Sequence, residues 1–238
     1  MTRAHLETLE EQVNADLNRM AAEEKSIHGP ITDGVVDIDR YLASSPKMLW
    51  ILKEPWEKLG AGEGGGGWSL TKNLIPALVH RNQIGGSPTY RKMAYVTNSI
   101  LNNFLPYSDI PATTDDPRVR ESLQSIAYIN VSKCPGATAS VSEQIGSYYR
   151  RNRDILRKQV EGIDPDVVIT GNIMHLFYED FGLTFPDLKS EGSVEFCRLG
   201  SRLYINAYHP AYWRCKQETY VNDLVAVIKN HGRVLPST

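Results

Sequence analysis

Cysteine is scarce in this chain of 238 residues: Cys134, Cys197 and Cys215 are odd in number and lack C-x-x-C spacing. That excludes a disulfide framework and an all-cysteine metal site. The six histidines are scattered without ligand spacing, and no H-E-x-x-H occurs, so no metal is expected. The G-x-S-x-G elbow of serine hydrolases is absent too. No window reaches the roughly 18 apolar residues of a membrane span, and no membrane partner is expected. The N-terminal MTRAHLETLEEQVNADLNRMAAEEK carries acids throughout, which argues against a signal or transit peptide and for a cytoplasmic location. A surplus of positive charge is also missing. At a net charge of −2 the chain as a whole does not advertise nucleic-acid binding, and only local charge can make that case.

What is present is an ordinary globular composition, 41% hydrophobic and 23% charged, in a length that suits one α/β core. Leu6, Leu9, Val13, Leu17 and Met20 recur at helical spacing, so residues 6–24 read as an amphipathic helix within an N-terminal extension, 1–35. The main domain, 36–238, holds four short apolar runs: MLWIL (48–52), IAYINV (126–131), DVVIT (166–170) and RLYINA (202–207). Near-continuous hydrophobicity suits strands buried on both faces of a parallel sheet. Helical patterns lie between them, over 71–80, 93–104, 141–160, 173–178 and 218–231. The alternation predicts a three-layer α/β/α sandwich around a central four-stranded, mainly parallel sheet. In such sheets ligands bind beyond the carboxyl ends of the strands, which here are followed by KEPW, SKCPG, GNIMH and YHPAYW.

The first of these segments runs into KEPWEKLGAGEGGGGWSL. Gly62, Gly64 and Gly67 satisfy G-x-G-x-x-G, a match that a glycine run makes nearly automatic. A dinucleotide fingerprint opens directly after its strand with an acid about 20 residues on. Here the pattern starts late, and no acid occurs between Trp68 and Tyr107. Trp68 stands where a phosphate loop has its lysine, so the glycines read as a flexible connector and the large ring of Trp68 as the informative residue. In YYRRNRDILRK, Arg150, Arg153 and Arg157 share a helix face; that face is either solvated or phosphate-tracking.

Taken in order, strand-KEP, strand-NVSKCPG, strand-Gly and strand-HP resemble the motifs of the uracil-DNA glycosylase superfamily over about residues 48–213. The resemblance implies that fold, hydrolysis of the N-glycosidic bond of uracil or a related deaminated base in base-excision repair, and damaged DNA, single- or double-stranded, as partner. It places the water-activating acid at Glu54, the base-reading asparagine at Asn130 and the histidine that stabilises the departing base at His209. Trp56 and Trp68 become candidates for stacking on the base, and Arg214 and Lys216 for holding phosphates. Two departures stand out: Lys53 replaces the usual glycine, and Trp56 follows the proline. One branch of the superfamily carries a [4Fe-4S] cluster; Cys134 sits at one ligand position, but the N-terminal cysteine pair is missing, so no cofactor is implied.

These residue types suit the chemistry. Breaking the bond builds positive charge on the sugar, which a carboxylate stabilises while positioning water, and negative charge on the base, which a histidine N–H stabilises. An asparagine matches a pyrimidine edge that presents both a donor and an acceptor. The alternatives are a non-catalytic nucleic-acid or nucleotide-binding module on the same fold, a hydrolase of small nucleoside-like substrates, and a Cys134–His209 nucleophile pair.

Overall fold

A computed structural model describes residues 1–59, 63–136 and 141–232; Gly62, with which the glycine pattern opens, lies outside them. The helices are α1 (Arg3–Glu23), α2 (Ile38–Ala43), α3 (Ile75–His80), α4 (Pro88–Leu101), α5 (Pro117–Glu121), α6 (Ser142–Ile163), α7 (Tyr178–Phe181) and α8 (Gln217–His231). The strands are β1 (Gly34–Val35), β2 (Met48–Leu52), β3 (Ala127–Asn130), β4 (Val167–Gly171), β5 (Lys189–Glu191), β6 (Val194–Leu199) and β7 (Arg202–Ala207).

The four apolar runs form β2, β3, β4 and β7, and their register is parallel throughout. The sheet is larger than the expected four strands: among the described residues it has seven, in the order β1-β3-β2-β4-β7-β6-β5. The three additional strands are antiparallel and lie outside the parallel four. Two Gly-Ser turns make the β5-β6-β7 meander, with Gly192 and Gly200 both at positive φ, the backbone state that two-residue hairpins require.

Burial on both faces explains the unbroken apolar runs. Met48, Trp50 and Leu52 of β2 point into a cluster with α3, α4 and α8, whereas Leu49 and Ile51 point into the opposite cluster with α6. Both clusters continue along β3, β4 and β7. The α6 helix stops where Asp164 turns left-handed ahead of Pro165, which cannot continue a helix. The segment before β1 is integral to this body. Thr2 caps α1, whose Val13 and Leu17 pack against Ile155 of α6, and β1 extends the sheet beside β3.

The glycine run departs from the flexible connector expected of it. Gly29 donates to the carbonyl of Gly65 at 2.8 Å, Thr32 to that of Trp68 at 3.1 Å, and Leu70 to that of Thr32 at 2.8 Å. A side chain at Gly66, where φ is +75°, would overlap the Gly29 carbonyl. Close backbone approach, in a conformation other residues adopt at a cost, is what glycine supplies here.

Candidate functional site

A cleft of about 780 Å³ opens at the carboxyl ends of the parallel strands. Glu54, two residues past β2, and His209, two residues past β7, both line it. Trp68 and Trp56 contribute rings to its wall, and Tyr90 and Tyr128 contribute two more. Among the described residues, the charged side chains of its lining are Lys53 and Glu54.

Local backbone pairing sets the position of Glu54. Beyond the sheet, Val131 donates to Leu52, Ser132 to Lys53 and Gly136 to Pro55, at 2.8 to 2.9 Å, so KEPW and VSKCPG run on as a paired extension. Gly136 packs directly on the Glu54 side chain, and a Cβ there would overlap Cγ and Cδ of the glutamate. The Glu54 carboxylate has no hydrogen-bond or ion-pair partner among the described residues, which leaves both oxygens open to a water or a ligand.

His209 is fixed differently. The N–H of Ala211 donates to its Nδ1 at 3.2 Å, so the neutral ring carries its proton on Nε2 and presents it as a donor. Burial, with Lys53 and Lys92 adding positive charge nearby, pulls the imidazole down to about 4, which keeps it neutral at pH 7. Gly171, at the end of β4, leaves room for the ring: a Cβ there would lie 3.3 Å from Cδ2 of His209. The loop that carries His209 is anchored from α4, where the buried Lys92 ammonium donates to the carbonyls of Tyr212 at 3.2 Å and Cys215 at 2.9 Å.

Asn130 is fully buried and does not itself line the cleft. Tyr128, two residues earlier on the same face of β3, does; its hydroxyl donates to Asn130 Oδ1 at 3.3 Å. The amide nitrogen of Asn130 has no partner among the described residues, an unsatisfied buried donor one layer below the cleft. From behind, its backbone N–H donates to Asp33 Oδ2 at 2.8 Å. Asp33 Oδ1 meets Lys133 Nζ at 2.6 Å and Gln159 Nε2 at 2.8 Å, and both charged side chains are about 1% exposed. Burial lowers the pKa of Lys133 while the Asp33 carboxylate pushes it back up.

The other predicted residues divide. Trp68 stands in the cleft wall, held by its Nε1–H donating to Glu57 Oε2 at 3.0 Å, the same oxygen that accepts from Gly66 N–H at 2.9 Å. Trp56 lines the cleft but is 58% exposed. Arg214 and Lys216 lie on the exposed loop beyond His209, outside the lining; the Arg214 guanidinium sits 5.0 Å from the ring centroid of Trp213. Cys134 is likewise outside the lining of the cleft that holds His209, with Arg151 Nη1 3.8 Å from its sulfur.

Four cations of YYRRNRDILRK are bound within the chain: Arg151 to Glu24, Arg153 to Asp180 and Glu179, Arg157 to Asp180 and Glu161, and Lys158 to Asp16. Glu57, Tyr90, Tyr128 and the Asp33 network were not among the sequence candidates. Asp33 acts through partners 97 to 126 residues away in the chain, which no local spacing signals. A scan against models of protein families gives no match for this chain, and a search of curated proteins gives none either.

Proposed function

We propose that the protein is a DNA glycosylase that hydrolyses the N-glycosidic bond of uracil or a related deaminated base in DNA. In this reading the chain is a cytoplasmic base-excision repair enzyme, and its sheet and helices form a three-layer α/β/α sandwich of the uracil-DNA glycosylase type. The observation that carries the reading is the convergence of a carboxylate unpartnered among the described residues, Glu54, and a neutral Nε2–H donor, His209, in one aromatic-walled cleft. Glu54 positions the attacking water and stabilises the positive charge that develops on the sugar. His209 donates to the base oxygen on which negative charge collects; its neutrality suits a donor that stabilises an anion without handing over its proton. Trp68 stacks on the extruded base, and the unsatisfied amide of Asn130 recognises its edge once Tyr128 gives way.

A second reading, hydrolysis of a small nucleoside-like substrate, is favoured by one observation: four α6 cations that would otherwise track a DNA backbone are engaged with carboxylates of the same chain. One experiment separates the two. Purified protein is incubated with single- and double-stranded oligonucleotides containing uracil, hypoxanthine or xanthine, and in parallel with the free nucleosides. The expected result is abasic sites in DNA, with Glu54→Gln slowed about 100-fold or more. Release of base from nucleosides alone supports the second reading. No release from any substrate, with Glu54→Gln indistinguishable from the unaltered protein, sinks both.

A further inference from the structure

We propose that Lys53 gives the cleft a second activity, cleavage of the DNA strand at an abasic site through a Schiff base between its amine and the C1′ aldehyde of the sugar. The proposal rests on the glycosylase reading in that base removal supplies the abasic sugar in the cleft. Lys53 is half-buried, lies beside Glu54 in sequence and lines the same cleft as Glu54 and His209. Its ammonium has neither a hydrogen bond nor an ion pair among the described residues. Lys133 is tied to Asp33, Lys92 to two carbonyls and Lys158 to Asp16, and Lys47, half-buried with an ammonium likewise unpartnered among the described residues, does not line the cleft. An amine without a structural partner in a cleft that generates an aldehyde is a nucleophile in position. Its charge also reaches His209, whose pKa it helps to lower, so the two groups act on one site.

The chemistry balances without a further reagent. The Lys53 ammonium gives up one proton, and its amine attacks C1′. The C1′–N bond forms, and the carbonyl oxygen takes that proton and a second one from the nitrogen and leaves as water, giving a protonated imine. Glu54 then takes a proton from C2′; the electron pair forms the C2′–C3′ double bond and the C3′–O bond breaks. The downstream strand departs with a 5′-phosphate, and the proton on Glu54 passes to solvent. Water hydrolyses the conjugated imine and returns Lys53 as the ammonium.

The test uses the full chain and an oligonucleotide carrying a preformed abasic site, so it does not depend on base release. With borohydride present, the expected result is a covalent protein–DNA adduct, and peptide mapping by mass spectrometry should place the reduced linkage on Lys53. Without borohydride, a strand break with a 5′-phosphate end should appear. Lys53→Arg keeps the charge but not a comparable nucleophile, and its adduct should fall to the level given by an unrelated protein. Binding of that variant to an oligonucleotide with a tetrahydrofuran site, which has no aldehyde, checks that it is folded; if it does not bind, the mapped linkage of the unaltered protein decides. No adduct, an adduct mapped elsewhere, or an undiminished adduct in a folded Lys53→Arg overturns the proposal. Base release without an adduct overturns this proposal alone, whereas an adduct on Lys53 without release of uracil, hypoxanthine or xanthine supports it and overturns the glycosylase reading.

Discussion

On the outer side of α6, four of the five cations in YYRRNRDILRK end on carboxylates of their own chain. In the cleft, Lys53 and Glu54 are adjacent in sequence, yet neither meets a hydrogen-bonding or ion-pairing partner among the described residues. Both regions look similarly charged when the residues are merely counted. The difference is that charge on α6 is used up in joining α1, α6 and the α7 region, whereas charge in the cleft is held in place and left open. Held but unsatisfied groups are where a ligand gains the most, because it finds the partners already oriented.

The comparison can be broken most severely at the Asp33–Lys133 pair, which is both buried and fully used. Asp33→Ala leaves a buried ammonium without its carboxylate and should cost about 3–5 kcal/mol, measured by urea unfolding. A loss below about 1 kcal/mol, the range of exposed ion pairs, would show that the pair carries no such weight.

Next in size is the cleft itself. His209→Phe removes the donor but keeps a ring, and uracil release should slow by about 100- to 1000-fold while the unfolding midpoint moves little. A variant as active as the unaltered protein would remove His209 from the chemistry.

A third effect is a pH dependence, smaller because it involves one proton. The folded ring titrates at about 4 and the unfolded ring near its ordinary 6.5, so between those values the unfolded chain holds more protons. The contribution to stability is therefore fully present above about 6.5 and is lost as pH falls through about 4. Thermal melts from pH 7 to pH 4 should show a steeper decline for the unaltered protein than for His209→Phe. Equal slopes would mean that the ring is not held neutral.

The smallest effect belongs to the paired surface. Arg157 is half exposed and lies 3.8 to 3.9 Å from its acids, so Arg157→Ala should change stability by no more than about 1 kcal/mol. It should also leave the salt dependence of DNA binding unchanged, since this arginine is already neutralised. A shallower salt slope in the variant would return α6 to the list of phosphate contacts.

The parallel strands were legible because burial on both faces writes itself as an apolar run: MLWIL is β2 to the residue, and RLYINA is β7. The flanking strands were less so. In β6 the burial is mixed and charges intrude, and β1 is two residues long, too short for any period. The Gly-Ser pairs at 192–193 and 200–201 were nonetheless a readable hairpin signal. Glu54 and His209 were within reach because strand ends project ligand-facing residues, and Trp68 because a large ring stands out beside a glycine run; all three line the cleft. Asp33 was not, since it lies 97 residues from the backbone it supports at Asn130 and has no local pattern to betray it. Nor could spacing reveal that the glycines serve a tight pairing with residues 29–32, because that need arises only when two distant segments meet.

That pairing bears on the order of folding. Residues 29–33 are synthesised before all of their partners, which are Gly65, Trp68 and Leu70, then Asn130 and Lys133, and finally Gln159 on α6. Contacts so distant in sequence form only after the intervening loops have closed, which is slow compared with winding a helix. The strip is thus fastened only after its later-made partners exist, and through it the wall that carries Trp68 and the strand that carries Asn130 share one support.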